Sequence, residues 1–185
     1  EMTSSLVGSE MCIRDRLNDD VEVAHYAATA VAQISKESDL KLQQLERAFK
    51  TDPSAQNLNE YCDFLGEYLG SGLAEGRVAQ IQRQQYARLL ARRCEREDTF
   101  ELRIRYATAL ADVGQIDEAQ AVIDQLVLDV PEEQEVWMLC LRLAVMRRDG
   151  VEVHRVIDAI DKQHVYLSAD NREKMAFWRD GEEAR

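Results

Sequence analysis

Residues 106–131 read YATALADVGQIDEAQAVIDQLVLDVP, and the fold turns on how this stretch is understood. On both sides of Gly114 the apolar residues return every three or four positions, which is the spacing of an amphipathic helix and not of a strand. Glycine has no Cβ, so the chain can bend sharply at Gly114 and lay a second helix back along the first.

Working outward, the same spacing runs from Leu17 to near the end of the chain. Val23, Ala27, Ala30, Val31 and Ile34 form one stripe. A helix over about Asp39–Lys50 is expected next, with Ser38 as its N-cap and Leu42, Leu45 and Phe49 on one side. Pro53 stops it and starts another, whose apolar face is Leu58, Tyr61, Cys62, Leu65 and Tyr68. Further helices are expected over about 74–95, 98–113 (with a capping box from Asp98 to Glu101), 116–130, 132–148, 151–165 and 169–178. Period-two alternation of β-branched and aromatic residues is absent. The expectation is an all-α chain, an α-solenoid of eight or nine helices in antiparallel pairs with short connections.

The stretch 106–131 resembles a tetratricopeptide repeat, a family of helix pairs with a period of about 34 residues. The resemblance places Gly114 at the turn between the two helices and Ala119 at the small position opposite Ala107. It puts Ile123 and Leu126 at the large positions behind and Pro131 at the close. The next unit, EEQEVWMLCLRLAV, sets Trp137 at the family's aromatic position, one full period after Arg103. Its turn, RRDG, reads as shifted by about two residues. An earlier unit over 54–90 is a weaker match with a longer loop. The resemblance spans about residues 37–178.

Before it, DVEVAHYAATAV (20–31) is similar to the second helix of a HEAT-type repeat, whose partner helix would lie upstream. Such a lone terminal helix leaves its apolar stripe uncovered on one side. Residues 1–16 carry no helical pattern, and about 4–16 resemble a translated sequencing-adapter peptide. Three parts are therefore expected: a non-native or disordered segment over 1–16, a HEAT-like helix over 17–36 and a tetratricopeptide-like domain over 37–185. The chain is expected to be the C-terminal part of a longer protein.

The formal net charge of −12 disfavours nonspecific attraction to nucleic acid or anionic lipid. A spanning helix needs about 20 apolar residues, and the uncharged stretch from Ala24 to Ser35 is far shorter, so no membrane insertion is expected. Cys12, Cys62, Cys94 and Cys140 lack the close spacings of metal or redox sites and read as free thiols. His25, His154 and His164 share no site by spacing. With no nucleophile elbow, phosphate loop or HExxH, neither enzymatic activity nor a cofactor or metal is expected.

Between Arg77 and Arg105 stand eight arginines against four carboxylates, whereas Tyr106–Leu141 carries eight carboxylates and no base. Arg77, Arg88, Arg92 and Arg96 can share one helix side as a docking strip for an acidic partner or a nucleic-acid backbone. Alternatively, the arginines complement a helix C-terminus, and the two blocks neutralise each other across adjacent helices. The aromatic interleaving of single-strand binders is missing, and no nucleic-acid partner is expected.

The tetratricopeptide resemblance implies a groove lined by the first helix of each pair: Glu101, Ile104, Thr108, Ala111 and Asp112, then Glu135, Met138, Arg142, Val145 and Met146. Where some members clamp a carboxylate with Lys and Asn, this chain has Ile104 and Thr108, so that clamp is not expected. The function implied is a non-enzymatic scaffold that binds a protein or peptide segment carrying basic and apolar residues. The degenerate repeats also resemble the helical accessory subunit of Pel-type exopolysaccharide secretion systems, in which membrane helices precede such a region. A cytoplasmic location is expected, for the whole protein or for the cytoplasmic part of a membrane-anchored one. Phe177 and Trp178 are expected to cover the last apolar face.

Overall fold

The computed structural model describes the backbone of residues 4–180 and the side chains of residues 23–179. Among the described residues the chain is all-α. Its helices are α1 (Ser4–Thr51), α2 (Ala55–Gly70), α3 (Gly76–Cys94), α4 (Phe100–Asp112), α5 (Ile116–Asp129), α6 (Gln134–Met146), α7 (Gly150–Lys162) and α8 (Ala169–Asp180). Two compact units divide between Phe64 and Leu65.

In the first unit, α1 runs unbroken through the helix start expected at Ser38, because neither glycine nor proline stands between Gly8 and Pro53 to interrupt it. The boundary drawn at 36/37 therefore falls inside one helix. Its backbone is helical from Ser4, within the segment 1–16 that was expected to be non-native or disordered; residues 1–3 and the side chains of 1–22 lie outside those described. Towards its end, α1 buries Leu42 and Phe49 with Leu58 and Tyr61 of α2, and the Phe49 and Tyr61 rings lie 6.1 Å apart. Ser54 is the working N-cap of α2, accepting from the Asn57 amide at 3.3 Å. Val23, Val31 and Ile34 of the upstream stripe are exposed.

In the second unit α3 to α8 pack in sequence order, each helix on the next, as a solenoid-like helical repeat. The period is visible in the backbone. Gln134 and Met146, the ends of α6, each fall one repeat after Phe100 and Asp112, the ends of α4, and the start of α7 at Gly150 follows that of α5 at Ile116 by the same interval. Gly114 closes α4 in the left-handed region (φ 80°), with Gln115 N–H donating to Leu110 O at 2.9 Å. Arg148 closes α6 with φ 57°, and Asp149 N–H donates to Ala144 O at 3.0 Å. Arg148 stands one period after Gly114. The turn expected to be shifted is thus in register, and Gly150, which suggested the shift, is the first residue of α7.

The core of this unit runs from Ala107 to Met175, with Ala107, Ala119, Ile123, Leu126, Val136 and Leu143 fully buried. Each large aliphatic side chain among them stabilises the fold by roughly 1.5–3 kcal/mol. At the end, Met175 (1% exposed) fills the position expected of the aromatic pair; Trp178 packs partly on the core, while Phe177 is 70% exposed. The start of α4 differs by one residue from the expected capping box. Thr99 caps, accepting from Leu102 N–H, and Asp98 turns instead to Arg103 at 3.5 Å.

Candidate functional site

The first helices of the two clear repeats, α4 and α6, pack directly on each other as well as on α5 between them. In the repeat frame Glu101 corresponds to Glu135, Ile104 to Met138, Thr108 to Arg142 and Asp112 to Met146, each pair one period apart. Glu101, Asp112, Glu135 and Arg142 are exposed; Ile104, Thr108, Met138 and Val145 are half-buried, and Ala111 is buried. Of the candidate groove residues, Asp112 and Arg142 meet, with Nη2 to Oδ1 at 2.5 Å. Ile104, Met138 and Val145 lie against the core, so they present only part of their surface. What remains outward is an apolar floor with Glu101 and Glu135 at one end and the Asp112–Arg142 pair towards the other.

Arg77, Arg88 and Arg92 are exposed on α3, but α3 ends at Cys94 and Arg96 lies beyond it in the turn, its N–H donating to Arg93 O. The strip therefore holds three helical arginines and not four. Other members of the arginine run are structural. Arg93 is 9% exposed, Arg103 bridges to Asp129 at 2.5 Å, and the Arg105 guanidinium donates to the Tyr86 hydroxyl at 2.9 Å. The acidic block takes its cations from both directions: Asp129 pairs with Arg103 before it, whereas Asp112 and Asp117 pair with Arg142 and Arg147 after it. The Arg103–Asp129 pair joins the two blocks across adjacent helices, as the charge runs suggested, while Asp112 and Asp117 turn to arginines that follow the acidic block.

The sequence reading left out the opposite face. There the second helices α3, α5 and α7 are linked through the first helices, and a cleft opens in each gap. One cleft, of about 380 Å³, lies between α3 and α5 with Tyr106 of α4 among its lining residues; the other, of about 340 Å³, lies between α5 and α7 with Trp137 and Cys140 of α6. Burial raises the Tyr106 hydroxyl pKa, with nearby Cys94, Glu118 and Glu95 adding to it. Burial, then Asp124 and Glu152, pushes the Cys140 thiol up to about 12. The Trp137 indole N–H donates to Pro131 O at 2.7 Å, which fixes its ring. Helical periodicity marks Trp137 and Cys140 as inward-facing but carries no sign of the gap beside them.

Cys62 and Cys140 are buried and Cys94 half-buried, none of the three in a disulfide; Cys12 lies outside the described side chains. His25 and His164 are exposed, and His154 is half-buried. Among the described residues no group of three or more His, Cys, Asp or Glu is placed to hold a metal ion. No helix of these residues is long and apolar enough to cross a membrane. The fold defines a helical-repeat protein. No family model matches the chain, and neither a curated protein nor a solved structure matches it.

Proposed function

We propose that this chain is a non-enzymatic interaction scaffold of tetratricopeptide type, which binds a protein segment carrying apolar and basic residues along α4 and α6. The observation that carries this reading is the direct packing of α4 on α6, joined by Asp112 and Arg142, with half-buried Ile104 and Met138 and exposed Glu101 and Glu135 on those two helices. Apolar positions spaced along neighbouring helices suit the alternate side chains of a bound segment, while the flanking carboxylates select its charge. The Asp112–Arg142 pair is internally satisfied and sets the far limit of the acidic end.

The test is selection of a displayed random-peptide library on the folded chain, followed by titration of the enriched peptides. Enrichment of sequences mixing aliphatic residues with Lys or Arg is expected, with affinity falling about tenfold when Glu101→Lys and Glu135→Lys are combined. Enriched peptides of acidic character, or binding indifferent to those two changes, would remove the groove from consideration.

A further inference from the structure

The two clefts on the opposite face occupy equivalent places in the repeat frame, yet their linings diverge. In the cleft between α3 and α5 the chain provides both signs of charge, Arg88 from α3 and Glu118 from α5. In the cleft between α5 and α7, Glu152 stands one period after Glu118, and Asp124 of α5 adds a second carboxylate to the lining. Arg155 lies there too and is already paired with Glu152. Asp124 accepts from the neutral Gln120 amide at 2.7 Å and has no ion-pair partner among the described residues.

The interior of the second cleft is apolar. Val127 forms one wall, Val156 and Ala159 the other, and Trp137 and Cys140 the floor. Its volume of about 340 Å³ lies within the range of roughly 300–1,000 Å³ in which small-ligand sites fall. Leu128, 75% exposed, stands on its edge and extends the apolar surface outward. Burial first, and then the nearby carboxylates of Asp124 and Glu152, raise the Cys140 thiol on the floor. An apolar slot between two helices, with an unmatched carboxylate on the rim, is complementary to an amphipathic helix with a cationic edge.

We propose that the cleft between α5 and α7 docks a helical segment of a partner protein, which sets one large apolar side chain against Trp137 and Cys140 and a lysine or arginine one turn away beside Asp124. This surface is separate from the α4–α6 groove, and its occupancy does not depend on that groove being used.

The test uses two synthetic helical peptides of about 18 residues, roughly 27 Å long, which share one leucine face and carry either lysine or glutamate elsewhere. Each is titrated into the full chain while the Trp137 indole N–H is followed by NMR, its signal assigned with a Trp178→Phe variant. The lysine peptide is expected to shift the Trp137 signal and to bind at least about tenfold more tightly than the glutamate peptide. Asp124→Lys is expected to abolish that preference, and Leu128→Lys, at an exposed position that leaves the core intact, to weaken the lysine peptide about tenfold. Glu118→Lys in the first cleft, and Glu101→Lys with Glu135→Lys in the groove, are expected to leave the Trp137 response unchanged.

Three results overturn the proposal. One is equal binding of the two peptides at Trp137; another is a lysine-peptide response insensitive to Asp124→Lys, which indicates diffuse attraction to the net charge. The third is self-association of the chain that buries Leu128, which makes a second copy the occupant.

Discussion

The α4–α5 and α6–α7 repeats share one backbone frame and fill it differently. Helix starts and left-handed turn residues coincide when one repeat is laid on the other, as do the ends of α4 and α6. Inside the frame, Ala107, Ala109 and Leu110 of the first repeat become Leu141, Leu143 and Ala144 in the second, all six buried. Two small residues have become large and one large residue small, while Ala119 gives way to Val153. The four exchanges together enlarge the side chains of the second repeat, so one frame encloses two different fillings. The frame is therefore specified by where helices stop and turn, and the interior by a looser condition on volume. Beside the outer clefts, Tyr106 gives way to Cys140 one period on, while Glu118 is kept as Glu152 and the remaining lining residues differ.

The comparison is broken most directly in the core, because Ile123 and Ile157 are the same residue at equivalent places. Ile123 is fully buried and has α4 and α6 on its two sides, whereas Ile157 retains 5% exposure nearer the end of the stack. Truncation to alanine is expected to cost about 3–4 kcal/mol at Ile123 and about 2–3 kcal/mol at Ile157, within the usual range for buried aliphatic residues. Urea denaturation of the two single variants measures the difference. A larger loss at Ile157 would show that the second repeat, not the first, is the stable centre.

A smaller effect separates the two turns. At φ 57° the Arg148 backbone sits where a Cβ crowds the following carbonyl, at a cost of about 1–2 kcal/mol that Gly114 avoids. Arg148→Gly is expected to stabilise the fold by about 0.5–1 kcal/mol, the gain being reduced by the greater freedom of glycine in the unfolded chain. Gly114→Ala is expected to destabilise it by about 1 kcal/mol. No other heavy atom lies within 4 Å of a Cβ built on Gly114, so the loss isolates backbone strain from packing. Thermal denaturation of both variants decides it; if Arg148→Gly loses stability, the two turns are not equivalent.

The all-α class and most helix spans were legible because the helical period survives in nearly every segment. The turn at Arg148 was not, because glycine is the customary sign of a left-handed residue and here Gly150 offers that sign two positions late. The continuity of α1 through Ser38 was missed for a related reason: a serine before an acidic residue looks like a cap, yet a cap forms only where the chain has already left the helix. That α4 and α6 pack on each other was readable from the repeat register. The Asp112–Arg142 pair that crosses it was not, since charge runs show sign but not which helix a side chain leans towards. The outer clefts left no trace in periodicity, which records which faces are buried and not how far apart two buried faces stand.

The helix starts, where the two repeats alternate, carry effects of the same size, and the smallest of all is the gain from adding a cap. Thr99 caps α4 by accepting from Leu102 N–H, and its equivalent, Glu133 before α6, makes no such bond. Asp149 caps α7 by accepting from Glu152 N–H, and its equivalent, Gln115 before α5, makes none. Each repeat thus caps one of its two helices, and not the same one. Removing either cap with Thr99→Ala or Asp149→Ala exposes an amide that has no intrahelical partner, at a cost of about 1 kcal/mol. Adding the missing one with Gln115→Asp is expected to gain about 0.5 kcal/mol, helped by the positive end of the α5 dipole and opposed by Asp117 and Glu118 in its first turn. Because Gln115 already donates its backbone N–H to the closing turn of α4, the introduced carboxylate has only to reach the amides of α5 for the gain to appear. Chemical denaturation of the three variants, read against one another, measures whether the two repeats share one capping logic; an unchanged midpoint for Gln115→Asp would show that the tight turn at Gly114 leaves the new side chain no geometry in which to cap.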